Sequence, residues 1–248
     1  MDKVLLITGG SRGIGAATAR LAASQGYAVA VNYSANSLAA DEVVQQIRAQ
    51  GGTAITVQAD VADEAQVQAM FEKVDAQLGR LSALVNNAGV VDVTARVDQM
   101  TLARWKRMFD INVMGSMLCA REAVRRMSTR HGGPGGAIVN ISSVASTLGA
   151  PGQYVDYAAA KGAIDAFTIG LGREVVLEGI RVNAVRPGII DTEIHASGGQ
   201  PDRVRQLAPM LPMQRPGTAQ EVAQAIVWLL SDASSYTTAS ILDVTGGR

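Results

Sequence analysis

The chain has 248 residues, of which 48% are hydrophobic and 18% are charged. This composition is that of a globular protein and excludes a disordered or fibrous one. Lys and Arg together number 22, as do Asp and Glu, so no net charge attracts nucleic acid or an anionic membrane.

Cysteine content and the first residues bear on the compartment. One cysteine excludes an intramolecular disulfide framework, and with only two histidines it leaves little for a zinc site. No apolar run approaches the ~20 residues that span a bilayer. The start, Met1-Asp2-Lys3 and a short apolar run, is unlike a signal peptide. We therefore expect a soluble cytoplasmic protein in a reducing compartment, with no membrane or nucleic-acid partner and no bound metal.

Short apolar runs alternate with longer amphipathic stretches along the chain. The runs predict strands at 4–7, 27–32, 53–58, 83–86, 137–141, 180–185 and 241–244. The stretches predict helices at 14–25, 38–50, 63–78, 154–177 and 218–230, and a helical region at 101–127 with a break near 112–115. Because the strands are continuously apolar, both faces of the sheet are expected to be covered. The alternation predicts a single α/β domain over 1–248, a doubly wound parallel sheet of about seven strands with helices on both faces.

One segment is too long for an ordinary connection. Residues 187–217 hold five prolines and several glycines. Long connections in compact domains are usually functional, so we interpret 188–216 as an inserted loop beside the substrate.

A glycine-rich turn, TGGSRGIG at 8–15, directly follows the first predicted strand. Glycines let backbone approach a phosphate closely, and the following helix N-terminus attracts negative charge. The spacing of Gly9, Gly13 and Gly15 is neither GxGxxG nor that of a Walker loop. Its place between the first strand and the first helix predicts a dinucleotide site. The alternative is a turn with a purely structural role.

Tyr157 and Lys161 stand four residues apart on a predicted helix and so share a face. A tyrosine hydroxyl has a pKa of about 10, and a nearby ammonium favours its ionised form. The pair predicts an acid/base for proton transfer to or from an alcohol. The alternative is a surface tyrosine packed on a lysine stem.

Together these motifs resemble the short-chain dehydrogenase/reductase family. The resemblance extends over essentially the whole chain and includes Asp60-Val61, Asn86-Asn87-Ala88-Gly89, Ser142-Ser143 and Pro187-Gly188, each after a predicted strand. It implies a single-domain Rossmann-like fold, a nicotinamide cofactor and hydride transfer between nicotinamide and a small carbonyl or alcohol substrate. It also implies a homotetramer built as a dimer of dimers.

The resemblance implies four catalytic residues. Tyr157 would be the general acid in ketone reduction and the base in alcohol oxidation. Lys161 would lower the pKa of Tyr157 and hold the ribose hydroxyls, and Ser143 would hydrogen-bond the substrate oxygen. Asn112 would hold a water chain to Lys161.

The spacing of these residues departs from the family pattern. Thirteen residues separate Ser143 from Tyr157, where the family has twelve, and the family spacing would select Val144, which cannot donate. We place the extra residue in the loop 146–153. Ser142 is a lesser candidate, which we expect to hold the turn.

Residues after the second predicted strand bear on the choice of cofactor. An acidic side chain there would repel the 2′-phosphate of NADP, but none occurs at 32–36, and Arg12 could pair with that phosphate. We therefore expect NADP, with NAD less favoured. The predicted cofactor contacts lie in the turn and after the strands: Gly9, Ser11, Arg12, Gly13, Ile14, Gly15, Asn32, Tyr33, Ser34, Asp60, Val61, Asn87, Ala88, Gly89, Tyr157, Lys161, Pro187, Gly188, Ile190 and Thr192.

Other functions stay open. A 3-oxoacyl-carrier-protein reductase would need a basic docking patch near the pocket, which Arg125, Arg126 and Arg130 could supply if the fold places them there. A non-catalytic protein that senses dinucleotide redox state, or a purely structural oligomer, would not need the four catalytic residues together. The loops 90–99, 144–156 and 188–216 are expected to form the substrate pocket. Their shape does not follow from the sequence, so the substrate is not predicted.

Overall fold

Seven parallel strands form one sheet in the computed structural model, which describes residues 3–248 apart from the side chains of His195 and Ser197. Their order in the sheet is β3-β2-β1-β4-β5-β6-β7. The order reverses between β1 and β4, where loops at the carboxyl ends of strands diverge and leave a crevice. The strands are β1 (Lys3–Ile7), β2 (Tyr27–Tyr33), β3 (Ala54–Gln58), β4 (Ala83–Asn86), β5 (Gly136–Ile141), β6 (Ile180–Pro187) and β7 (Ile241–Val244). The predicted doubly wound sheet is confirmed.

Two helical layers cover the sheet. One layer, with α1, α2 and α10, packs on one core cluster, and the other, with α3, α5 and α7, packs on a second. Alternate strand residues enter the two clusters: Leu5 lies in the first, and Leu6 in the second. The helices are α1 (Gly13–Ser24), α2 (Ser37–Ala49), α3 (Glu64–Leu78), α4 (Leu102–Phe109), α5 (Gly115–Met127), α6 (Ala145–Leu148), α7 (Val155–Val175), α8 (Ile194–Ser197), α9 (Arg203–Leu207) and α10 (Ala219–Leu230).

The predicted break in the 101–127 region is confirmed as a single wide turn. After α4 the backbone forms one π-helical turn, Asp110–Met114, and then continues as α5. Asn112 fixes this turn, because its Nδ2 donates to the carbonyl oxygen of Met108 at 3.0 Å. Such wide turns occur often at functional sites.

Two details differ from the sequence expectation. The helix predicted at 154–177 ends as α7 at Val175 and continues as a tighter 3-10 turn, Val176–Glu178. The segment 188–216, expected as a loop, contains the short helices α8 and α9. The 3-10 turn and the two short helices each contain too few residues for a 3.6-residue hydrophobic pattern to be recognised in the sequence. Within residues 3–248, no helix combines the length and the hydropathy that crossing a membrane requires.

Candidate active site

Hydrogen bonds tie the glycine-rich turn to the neighbouring strand ends. The Thr8 hydroxyl accepts hydrogen bonds from the backbone N–H groups of Asn87 and Ala88, both at 3.0 Å. The Asn87 amide donates back to the carbonyl oxygens of Thr8 and Gly9 at 3.0 and 2.8 Å. Asn32 accepts from the Gly9 N–H at 3.1 Å. These hydrogen bonds therefore fix the turn at the switch point of the sheet.

The turn also requires glycine at particular positions. Gly9 and Gly13 have φ angles of +59° and +52°, which side chains disfavour. A Cβ on Gly15 would lie 2.5 Å from the Gly9 carbonyl oxygen and 2.6 Å from Asn87 Nδ2. A Cβ on Gly13 would lie 3.2 Å from Thr192 Cγ2, so the 188–192 segment approaches the start of α1. This backbone cradle, open at a helix N-terminus, fits a dinucleotide diphosphate.

We expect Gly15→Ala to weaken dinucleotide affinity by about tenfold or more, because its methyl group must displace the Gly9 carbonyl or the Asn87 amide that shape the turn. Fluorescence titration with reduced dinucleotide measures the affinity. Gly170→Ala is the matched control, since a Cβ at that exposed position of α7 meets nothing within 4 Å. Equal affinity of Gly15→Ala and the parent would contradict the expectation.

Predicted contacts on the adenine side gather at the ends of β2 and β3. Asn32 is buried, and its amide donates to the carbonyl oxygens of Val57 and Ala59 at 3.2 and 3.1 Å, so its side chain serves the fold. Asp60 is exposed, and its carboxylate accepts from the Ala62 N–H at 3.0 Å. Arg12 is exposed, and its side chain has no hydrogen-bond or ion-pair partner among the residues described. Its guanidinium is thus available to a phosphate.

Ser143, Tyr157 and Lys161 meet at the carboxyl end of β5. Ser143 lies beside Tyr157, close enough for its hydroxyl to lower the pKa of the tyrosine, and it accepts a hydrogen bond from the Ala145 N–H at 3.1 Å. The Lys161 ammonium lies 5.6 Å from the centroid of the Tyr157 ring and donates to the carbonyl oxygen of Ile141 at 2.7 Å. Ser142 donates to the Lys161 carbonyl at 3.3 Å and so holds the start of the loop against α7.

The extra residue between Ser143 and Tyr157 is absorbed locally. The chain forms the single-turn helix α6 and then turns through Gly149 and Ala150, at φ angles of +74° and +44°. Val144, at the family spacing, is buried and lines the cleft. Ser143 and Tyr157 therefore line the same cleft despite the additional residue between them.

Asn112 joins the wide turn to the segment after β4. Its Oδ1 accepts from the Val90 N–H at 3.2 Å, and its Nδ2 donates to the Val90 carbonyl at 3.0 Å. A Cβ on Gly89 would lie 2.8 Å from Asn112 Oδ1 and 3.5 Å from Lys161 Nζ. Asn112 and Lys161 therefore border the same glycine, and that approach explains the small residue there.

Burial shifts the pKa values of both titratable groups of the site, Tyr157 and Lys161. Tyr157 keeps part of its surface open to the cleft, yet the protein around its ring raises its pKa to about 12, and the Ser143 hydroxyl opposes the rise. This direction is opposite to the one expected from a neighbouring ammonium. The reason is that burial of the phenol disfavours its ionised form. Lys161 is desolvated as well: burial lowers its pKa to about 8, and the negative charge of Asp165 opposes that shift.

An ion pair that sequence reasoning missed fixes the start of α7. Arg104 on α4 binds Asp156 through Nε and Nη2, at 2.7 and 3.2 Å, and both side chains are buried. The Asp156 carboxylate accepts the N–H of Tyr157 at 3.0 Å, and Arg104 also donates to the Val93 carbonyl at 2.6 Å. The pair thereby holds Tyr157 relative to α4 and the 90–99 loop. The only sequence signal is an acidic residue in the first turn of a helix.

The side chains at the carboxyl end of β5 face one cleft of about 280 Å³. Of the predicted residues, Ser143, Tyr157 and Lys161 line it, together with Ile14, Asn87, Gly89, Pro187, Gly188, Ile190 and Thr192. The other predicted cofactor residues lie beside the cavity along the turn and the ends of β2, β3 and β4: Gly9, Ser11, Arg12, Gly13, Gly15, Asn32, Tyr33, Ser34, Asp60, Val61 and Ala88.

The remaining wall of the cleft was not predicted residue by residue. It is largely apolar and comes from the loops 144–156 and 188–216, with Leu148, Pro151 and Ile189 among its members. Two arginines, Arg203 and Arg248, complete it.

Several known proteins are similar to this chain in sequence and in fold. A family profile described as enoyl-(acyl carrier protein) reductase matches residues 9–248. The uncharacterized oxidoreductase YgfF of Escherichia coli is 58% identical over 99% of both chains. A 3-oxoacyl-[acyl-carrier-protein] reductase of Synechocystis is 39% identical, over 99% of this chain and 96% of the relative. The solved structure of a mutant Serratia marcescens short-chain dehydrogenase/reductase is 34% identical and covers 99% of this chain and 97% of its own, with a TM-score of 0.89. The chain belongs to the short-chain dehydrogenase/reductase family of oxidoreductases.

Proposed function

We propose that this protein transfers a hydride between a nicotinamide dinucleotide and a carbonyl/alcohol substrate, with Tyr157 as the general acid and base. The observation that carries the proposal is one shared cleft. Tyr157, Ser143 and Lys161 line it together with Ile14 of the phosphate-binding turn and Thr192. A dinucleotide held by the turn would thus reach the group that handles the proton.

The dinucleotide, when bound, supplies or accepts the hydride. The raised pKa of Tyr157 keeps its phenol protonated at neutral pH, so it can donate to the carbonyl oxygen as charge develops there. The Ser143 hydroxyl lines the same cleft beside Tyr157 and would donate to the same oxygen. The Lys161 ammonium favours the phenolate that remains. In alcohol oxidation the same groups act in the reverse direction, with ionised Tyr157 accepting the proton of the alcohol.

The cofactor preference rests on charge at the end of β2. Residues 32–36 carry no acidic side chain, and the Arg12 guanidinium is exposed and unpaired among the residues described. A 2′-phosphate would meet an available cation and no repelling carboxylate. We therefore propose NADP over NAD.

Replacing Arg12 by Gln tests this preference. We expect NADPH affinity to fall by about tenfold and NADH affinity to change by less than about threefold, because only NADPH carries the 2′-phosphate. Titration of both reduced dinucleotides measures this. Arg20→Gln is the matched control, since Arg20 lies on α1, the helix that Arg12 directly precedes, and donates a hydrogen bond to Gln46 at 3.2 Å. Tighter binding of NADH than NADPH by the parent would overturn the preference.

The proposed reaction is tested by following NADPH and NADH oxidation with ketones, diketones, sugars and acyl thioesters. Turnover of any carbonyl supports the proposal. Tight dinucleotide binding without turnover on the whole panel would favour the redox-sensing alternative.

A 3-oxoacyl-carrier-protein reductase is the second candidate, and the Synechocystis relative bears that name. The basic patch considered for carrier-protein docking does not support it. The end of α5 lies at the amino ends of the strands, whereas the cleft lies at their carboxyl ends. The contact that shows this is the hydrogen bond from the Gly135 N–H, just before β5 begins, to the Met127 carbonyl. Arg126 there is paired with Asp75 at 2.6 Å, and Arg130 with Glu178 at 3.3 Å. The acyl-thioester arm of the panel decides this candidate.

Assembly and location belong to the same proposal. We propose a cytoplasmic homotetramer in which 1–248 is a single dinucleotide-binding domain and 188–216 shapes the substrate pocket. Exposed apolar side chains on α4 and the wide turn support an assembly, since they form a patch that another copy could cover: Leu102, Trp105, Phe109 and Met114.

A further inference from the structure

Two cations stand in the part of the cleft that the mechanism does not use. Arg203 of α9 and Arg248 both line the cavity. Arg203 donates to the amide oxygens of Gln200 and Gln153 at 2.6 and 2.8 Å, and its guanidinium lies 5.4 Å from the centroid of the Tyr154 ring. All of these contacts are neutral, so they orient the guanidinium without balancing its charge.

Arg203 has no carboxylate partner in the described part of the chain. The adjacent acid, Asp202, is bonded instead to Arg205 at 3.0 Å on the exposed side of α9. The Arg203 Nε is buried and finds no acceptor. A guanidinium at the wall of a cavity carries a full positive charge, and no acidic side chain among the described residues offsets that of Arg203, so its charge is open to an anionic ligand.

Arg248 adds a second positive charge at the same place. Burial lowers the pKa of Arg248, and the positive charge of Arg203 lowers it further. Two guanidinium groups that line one cleft without an acidic side-chain partner among the described residues favour an anion there.

The position of the pair relative to Tyr157 limits the substrate. Tyr154 precedes α7 directly, and Tyr157 lies three residues further on, about 4.5 Å along the helix axis. The Arg203 guanidinium lies over the Tyr154 ring, 5.4 Å from its centroid. Most of the other groups that line the cleft are apolar, among them Val144, Leu148 and Ile189. The cavity that both arginines share with Tyr157 therefore offers apolar wall to a short carbon chain.

We propose that the substrate is a keto acid or hydroxy acid whose carboxylate is bound by Arg203 and Arg248, a few carbon atoms away from the carbonyl that Tyr157 protonates. The proposal rests on the proposed oxidoreductase function. A carboxylate matches the planar fork of a guanidinium in a bidentate pair, and the apolar wall accommodates the intervening carbon chain.

The test compares acids with their neutral esters. The substrates are 3-oxobutanoate, 4-oxopentanoate and 5-oxohexanoate, each beside its methyl ester, with the parent enzyme and the preferred reduced dinucleotide. We expect kcat/KM for at least one of the two longer acids to exceed that of its ester by about tenfold, because only the acid can pair with the arginines. In Arg203→Gln this preference should disappear through loss of acid turnover, while ester turnover stays within about threefold.

Arg205→Gln is the matched control, since Arg205 lies on the same helix and is exposed away from the cleft. It should keep the acid preference of the parent. Equal or better turnover of the esters by the parent would overturn the carboxylate proposal and leave the proposed reductase function standing. A loss of dinucleotide affinity in Arg203→Gln that accounts for its lost turnover would assign Arg203 to the cofactor and would also overturn it.

A binding measurement covers the case in which none of these compounds turns over. Calorimetry of the acids and esters with the enzyme saturated by oxidised dinucleotide should show binding of the longer acids that Arg203→Gln loses. Absence of that difference would overturn the carboxylate site. Absence of turnover on the broad carbonyl panel, by contrast, would count against the reductase itself.

Discussion

Tyr157→Phe should lower kcat for carbonyl reduction by about a thousandfold or more, while dinucleotide affinity changes by less than about threefold. The substitution removes only the hydroxyl beside Ser143 and leaves the ring packed at the start of α7. In the proposed mechanism that hydroxyl delivers the proton to the developing alkoxide, whereas the substitution leaves the glycine-rich turn untouched. Stopped-flow or steady-state oxidation of the reduced dinucleotide, beside fluorescence titration, separates the two effects.

Tyr236→Phe is the control for this prediction, because Tyr236 is fully exposed at 104% relative accessibility. It should match the parent in both measurements. A Tyr157→Phe enzyme that keeps more than about a tenth of parental kcat would remove Tyr157 from the chemistry, since a general acid contributes about 10²–10⁴-fold.

The sheet could be predicted from sequence because its strands are buried on both faces. Leu5 and Leu6 point to opposite helical layers, yet both must be apolar, so each central strand appears as an unbroken apolar run. The glycine-rich turn could be predicted for a related reason. Its backbone approaches within a distance that only glycine permits, as at Gly15, and that constraint is visible as a spacing.

The contacts that orient the site could not be predicted in the same way. Arg104 and Asp156 are 52 residues apart, and nothing in either local pattern identifies the other as its partner. Asn32 looked like a cofactor contact by position, but its amide is taken up by backbone carbonyls of β3 and the residue after it. Arg203 lies in a segment without regular periodicity, so its place in the cleft follows only from the folded loop.

Lys161→Met should abolish turnover and at the same time raise the free energy of unfolding at neutral pH. The Lys161 ammonium is buried, and its pKa falls from 10.5 to about 8. At about 1.4 kcal/mol per pKa unit, holding that charge in the folded chain costs roughly 3 kcal/mol. Loss of the 2.7 Å hydrogen bond to the Ile141 carbonyl offsets part of the gain. We therefore expect a net stabilisation of roughly 1–2 kcal/mol.

The pH dependence distinguishes this cause from better packing of methionine. Between pH 8 and 10.5 the unfolded chain still binds the Lys161 proton and the folded chain does not, so the parent gains stability as pH rises through this window. The variant has no such group and gains nothing from it. Its advantage should therefore shrink across the window and disappear above it, as measured by urea unfolding at pH 7 and pH 10.5.

Lys73→Met is the matched control, because Lys73 also donates to a backbone carbonyl, that of Thr56 at 3.2 Å, but does so at an exposed position. It should show no stabilisation at neutral pH and no pH-dependent difference. A Lys161→Met protein that is less stable than the parent at neutral pH would show that the hydrogen bond to Ile141 outweighs the desolvation of the ammonium. A stabilised but inactive variant would instead show that this site keeps an unfavourable buried charge for the sake of the proton transfer at Tyr157.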